Sequence, residues 1–147
     1  MLFIAVALLS FIPIVEADDV IADANPLTNG VSTNGYVCID DGCSPEDEID
    51  WWKIYAYKGD VVQIGFSGSM NNGAWWCIND GWNADFSLHD SGGSQVASQS
   101  MSDASSSTTL STTVPTAGYI YAKIKGKGSL CNDCLLYTSP SPRDVST

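Results

Sequence analysis

Residues 50–68, DWWKIYAYKGDVVQIGFSG, decide the fold because they alternate twice across a turn. In an extended strand successive side chains point to opposite faces. On that rule Trp52, Ile54 and Ala56 share one face of the first arm, and Val62, Ile64 and Phe66 share one face of the second. Trp51, Lys53, Tyr55 and Tyr57 fall on the reverse of the first arm. Lys58-Gly59-Asp60 has turn chemistry, so the pattern predicts two strands, each with an apolar side for a core, joined as a β-hairpin.

The same alternation continues downstream. Residues 67–83, SGSMNNGAWWCINDGWN, make a loop too long and irregular for a tight turn. In ADFSLHD (84–90), Phe86 and Leu88 point one way; SGGS then turns the chain, and QVASQS (95–100) supplies a short partner strand. His89 has the opposite parity, which predicts a surface side chain rather than a catalytic base. Residues 101–114 have the Ser/Thr content of a linker, yet Leu110, Thr112 and Val114 keep strand alternation, and threonine suits a half-exposed strand. After Pro115-Thr116-Ala117-Gly118, the residues Ile120, Ala122 and Ile124 alternate against Tyr119, Tyr121 and Lys123. Short strands separated by Gly, Asn and Asp turns predict an all-β fold, an antiparallel β-sandwich of jelly-roll-like arrangement.

The chain has 147 residues, and Asp and Glu outnumber Lys and Arg 17 to 6 for a formal net charge of -11. Such a charge repels nucleic-acid phosphates and anionic lipid, so neither is an expected partner. Residues 1–17, MLFIAVALLSFIPIVEA, read as a secretory signal. Their apolar stretch is shorter than the ~20 residues of a spanning helix and contains Pro13, so no membrane span is expected. Residues 18–34 form a polar lead with Asn-Pro and Asn-Gly steps, expected to be extended and exposed. Residues 35–133 then hold one sandwich of ~100 residues, a common domain size. Secretion implies disulfides. Cys38 and Cys43 are close enough in sequence to close a short ring worth ~2 kcal/mol, and Cys77 with Cys131 a long one worth ~4 kcal/mol. Cys134 is the odd fifth; its rival use, a zinc site with Cys131, lacks two further well-placed soft ligands.

EIDWWKIYAYKGDVVQIGFSG, ADFSLHDSGGSQVASQS and PTAGYIYAKIKG, in that order, resemble the bacterial and archaeal pre-peptidase C-terminal (PPC) domain over residues 47–126. The motifs are an Asp-aromatic strand, a Gly-Asp turn, a D-x-x-L-x-D strand followed by a Gly turn, and a late strand opening on Gly and Tyr. The resemblance implies a secreted, non-catalytic β-sandwich joined to other domains of a longer chain, often an extracellular peptidase. Some relatives hold calcium and bind a protein ligand. The chain departs from the family in its Trp-rich loop and in the closing strand, which is expected to be missing.

Two sites follow from the residues. Asp40, Asp41, Asp47 and Asp50 crowd the approach to the first core strand, and crowded carboxylates suit Ca²⁺, which takes six to eight hard oxygens. The resemblance places Asp47 and Asp50 first among these ligands; the plainer reading is solvated loop charge. Trp75, Trp76 and Trp82 cluster in one loop, where exposed indoles could stack on sugar rings; the plainer reading is that they cap the sandwich. No nucleophile–base arrangement stands out, since GFSGS is not followed by a helix pattern. The expected function is therefore a non-catalytic accessory or adhesion module whose partner is an extracellular protein or polysaccharide, the alternative being a carbohydrate-binding module using the Trp loop.

Residues 134–147, beginning CLLYTSPSPRD, share nothing with the preceding pattern. They resemble the in-frame translation of a transposase adapter used in sequencing libraries. This predicts a non-native tail beyond residue 133, four pairable cysteines, and an unpaired sheet edge where the closing strand belongs.

Overall fold

The computed structural model describes residues 20–37, 48–70, 83–102, 107–127, 135–139 and 143–144. A 3-10 turn (Ile21–Asp23) leads into β1 (Asn25–Pro26), β2 (Thr33–Val37), β3 (Ile49–Ala56), β4 (Val61–Met70) and β5 (Asn83–His89). There follow β6 (Gln95–Ser102), β7 (Ser107–Thr113), β8 (Gly118–Lys127), β9 (Leu135–Ser139) and β10 (Arg143–Asp144). One sheet has the order β1-β3-β8-β5-β6; the second runs β10-β4-β9-β2, with β7 also paired to β4. All pairings are antiparallel except β1 with β3. The all-β sandwich is as the alternation predicts.

The two arms of 50–68 are strands with the inner faces assigned to them, but they are not a hairpin. β3 pairs with β8 from Ile49↔Lys125 to Ala56↔Gly118, whereas β4 pairs with β7 from Val61↔Thr113 to Ser67↔Ser107. The turn at 57–60 therefore carries the chain from one sheet to the other. It is held there by Asp60, whose carboxylate accepts from the Tyr57 amide at 2.8 Å. Gly59, at φ 93, also donates its amide to the Val114 carbonyl at 2.8 Å. An apolar face and a turn specify two strands facing a core; they do not say whether the strands lie side by side or across it. β6 and β7 also sit in opposite sheets, as do β7 and β8. Such crossings give the jelly-roll-like wrapping. The β5–β6 hairpin is as expected, closed by Asp90, whose Oδ1 accepts from the Gly92 and Ser94 amides at 2.9 Å each.

Between the sheets lie Trp52, Ile64, Phe66, Phe86, Leu88 and Ile124 with their smaller neighbours. Phe66 of β4 stacks on Phe86 of β5 at 5.4 Å between centroids, so the two sheets meet ring to ring. Each fully buried side chain of this size contributes about 1.5–3 kcal/mol relative to exposure.

Two expectations are corrected at the ends of the chain. The polar lead is extended but not free: Asn25 and Pro26 pair with Trp52 and Lys53, the Leu27 amide donates to the Lys53 carbonyl at 2.7 Å, and Ala24 and Leu27 are buried. The apolar residues of the lead find the β3 edge, which still offers backbone groups to satisfy. The closing position, expected to be vacant, is filled. β9 pairs with β2 from Thr33↔Ser139 to Val37↔Leu135 and with β4 from Ser67↔Thr138 to Met70↔Leu135. Ladder hydrogen bonds are made by main chain, so two open edges accept any extended segment within reach, whatever its composition.

Candidate functional site

The outer face of the β1-β3-β8-β5-β6 sheet carries the chain's unusual chemistry. Outward positions of β3 are Trp51, Lys53 and Tyr55; those of β8 are Tyr119, Tyr121, Lys123, Lys125 and Lys127; those of β5 are Asp85, Ser87 and His89. The register sets them in rows: Tyr55 beside Tyr119, Lys53 beside Tyr121 and His89, Trp51 beside Lys123 and Ser87, and Lys125 beside Asp85. Four of the chain's six basic residues thus stand on one face of a protein with net charge -11.

At one end of this face is an exposed tyrosine cluster. Tyr55 meets Tyr57 at 5.5 Å and Tyr119 at 5.4 Å, both edge-on, and Tyr119 lies 6.2 Å from Tyr121. Lys53 Nζ stands 5.5 Å from the Tyr119 centroid. Tyr57 is 67% exposed, Tyr55 51% and Tyr119 43%, so the rings hold one another and still face solvent. At the other end is a polar groove of about 580 Å³ lined by Asp85, Ser87, Gln95, Ser98, Gln99, Ser100, Lys123 and Lys125. Lys127 Nζ bridges to Asp85 Oδ1 at 2.7 Å, and Ser100 Oγ donates to the same oxygen at 2.6 Å. Burial works to raise the Asp85 pKa. The hydrogen bonds from Lys127 and Ser100, with the charges of Lys127 and Lys125, outweigh it and hold the carboxyl below its usual range. Lys125 stands beside Asp85 in the register and Lys123 next to it in the groove, so among the groove's described residues the cations outnumber the one carboxylate.

Between the two ends sits a buried patch that contradicts the surface placement expected for His89, which is only 9% exposed. Its Nδ1 lies 3.1 Å from the Gly93 carbonyl, which can only accept. That atom therefore carries the proton, and Nε2, 3.0 Å from Ser87 Oγ, accepts from the serine hydroxyl. Trp51, buried although its parity is outward, stands edge-on to the imidazole, and Lys123 Nζ lies 5.1 Å over its indole. Parity is a property of the strand; burial also depends on what crosses over it. Ile21 of the lead comes within 3.8 Å of where a Gly93 Cβ would be, so the lead spans from the β3 edge to the β5–β6 turn. The Ser87–His89–Gly93 chain satisfies a buried imidazole on both nitrogens.

Of the residues singled out from the sequence, Asp50 is placed in β3 opposite Ile124, its carboxylate buried on the inner side. Asp40, Asp41, Asp47, Trp75, Trp76 and Trp82 lie outside the described residues, as do Cys38, Cys43, Cys77, Cys131 and Cys134. Among the described residues no group of three His, Cys, Asp or Glu side chains is placed to hold a metal, and no helix is long and apolar enough to cross a membrane. The lysine grouping was missed in the sequence. Its signal was present as outward parity in 119–127, but it needed the pairing of β8 with β3 and β5 to become one surface.

The fold defines a class, the two-sheet β-sandwiches. Within it, the chain has the fold of the pre-peptidase C-terminal domain of the collagenase from Bacillus anthracis, with a TM-score of 0.52 and 12% identity over 82% of this chain and 95% of that one. A CBM4 structure is also similar, with a TM-score of 0.48 and 14% identity over 75% of this chain and 71% of the other. No protein-family model matches the chain, and no curated protein does.

Proposed function

We infer that the chain is a non-catalytic accessory module of a secreted or cell-surface protein, holding a longer polypeptide to an extracellular polymer through the outer face of the β1-β3-β8-β5-β6 sheet. The observation that carries this is the exposed Tyr55–Tyr57–Tyr119 cluster on the same sheet face as a lysine-bearing groove, while Trp51, Trp52, Phe66 and Phe86 are buried. Exposed aromatic groups in contact present apolar area that folding alone leaves uncovered, and such patches mark interaction sites. The likeness to a collagenase's PPC domain supports attachment to an extracellular peptidase.

Calcium stiffening belongs to the same proposal. Asp50 supplies one hard oxygen donor in β3, close in the chain to the acidic stretch that holds Asp40, Asp41 and Asp47, and Ca²⁺ takes several such oxygens. Those residues would hold the ion, which would cross-link the approach to the strand.

Retention of the full chain on a panel of insoluble polysaccharides and fibrous extracellular proteins tests the function. Tyr55→Ala with Tyr119→Ala is expected to abolish retention while the chain still unfolds cooperatively, with stability lowered by no more than about 1 kcal/mol, the worth of a cross-strand aromatic pair. Retention that survives both substitutions and is lost in Trp75→Ala with Trp76→Ala would move the site to the Trp loop.

A further inference from the structure

The geometry points to a negatively charged polysaccharide, one bearing carboxylates on its sugar rings, as the polymer this face takes. The inference rests on the reading of the outer sheet face as a ligand surface and adds the ligand's chemistry. Three features of the face select it.

Charge comes first. Asp85, the groove's carboxylate, bridges to Lys127 and also feels the charge of Lys125 beside it, so one negative charge is set against Lys123, Lys125 and Lys127 and the cations outnumber it. Lys123 is also held in place, its ammonium 5.1 Å over the Trp51 ring, and Trp51 is itself fixed against His89. A lysine so positioned presents a standing positive charge with less side-chain freedom to lose on binding. The net charge of -11 does not forbid an anionic ligand here. Beyond about 8 Å a charge is largely screened at physiological ionic strength, so the local lysines dominate what the groove presents.

Next is the groove wall. Ser87, Ser98, Ser100, Gln95 and Gln99 line it with hydroxyl and amide groups. These both donate and accept, as a sugar's hydroxyls do, whereas an inorganic anion or a phosphate backbone would be served by donors alone. The third feature is the tyrosine cluster. Tyr119 and Lys123 are four residues apart on β8, which places the aromatic platform about 13 Å along the strand from the groove. A polymer reaching both ends, passing over the lead that crosses between them, would rest the apolar faces of its rings on the tyrosines. Its carboxylates would take charge-assisted hydrogen bonds from Lys123 and Lys125.

The test compares a polyuronate with its methyl ester, which keeps rings and hydroxyls and loses the charge, by titration calorimetry on the full chain. The acid form is expected to bind about tenfold more tightly than the ester, with affinity falling as salt rises. Lys123→Gln with Lys125→Gln is expected to remove that preference, so that acid and ester bind the variant equally. Equal affinity for acid and ester would overturn the charge assignment while leaving the binding face intact. Polyuronate affinity unchanged by the lysine pair, or polyglutamate competing as strongly as polyuronate, would overturn it too. If neither polymer bound, the reading of the face as a polysaccharide surface would itself fall.

Discussion

The rings of Trp51 and His89 meet edge-on at 4.9 Å although their strands are not neighbours, β8 running between β3 and β5. Two strand spacings are about 10 Å, so the side chains lean together over the intervening strand and lock three strands on their outer side. The imidazole is satisfied at both nitrogens, which makes it a fixed wall of the face rather than a mobile base.

His89→Ala removes the acceptor of the Ser87 hydroxyl and the donor to the Gly93 carbonyl in a buried place. A destabilisation of about 1–3 kcal/mol is expected, the range for leaving buried polar groups unpaired. Urea unfolding followed by tryptophan fluorescence would measure it. An unchanged midpoint would mean that the imidazole is not held as described.

Asp85 has a lowered pKa, so the folded state binds its proton less readily than the unfolded chain does. Its contribution to stability is present above the ordinary aspartate value of 3.8 and is lost as pH falls through the lower folded value. Asp85→Asn should therefore flatten the acid limb of the stability profile. The side chains of Lys127 and Asp85 are 50% and 35% exposed, so solvent screening keeps the effect at neutral pH below about 1 kcal/mol. A steeper acid limb in the variant than in the parent would contradict the sign.

Calcium in excess is expected to raise the melting temperature, and Asp47→Ala with Asp50→Ala to cancel the rise. Binding to the folded state alone stabilises in proportion to the logarithm of ligand concentration over the dissociation constant. Melting that does not move with calcium removes the metal from the proposal.

A chain ending at residue 133 would lack β9 and β10 and leave the facing edges of β2 and β4 unpaired. Open edges template further pairing. Concentration-dependent self-association, seen by light scattering, is the expected outcome. A truncated chain that stays monomeric with the parent's melting temperature would show that residues 134–147 contribute nothing to the sheet.

Strand identity and inner face were legible from alternation alone. Trp52 and Ala56, Val62 to Phe66, and Ile120 to Ile124 needed no partner to be assigned, because side-chain direction in an extended backbone is set locally with period two. Partnership was not legible, because the hydrogen-bonding groups of any two extended segments are the same. Thus β3 found β8 instead of the adjacent β4, the lead found the β3 edge, and Leu135–Ser139 found the gap between β2 and β4. Tertiary structure alone decided the face that matters most. Lys53 and Lys123 are separated by seventy residues of chain and become one surface only when β3 pairs with β8, just as Trp51 and His89 become one buried pair only when β5 joins the other side of β8.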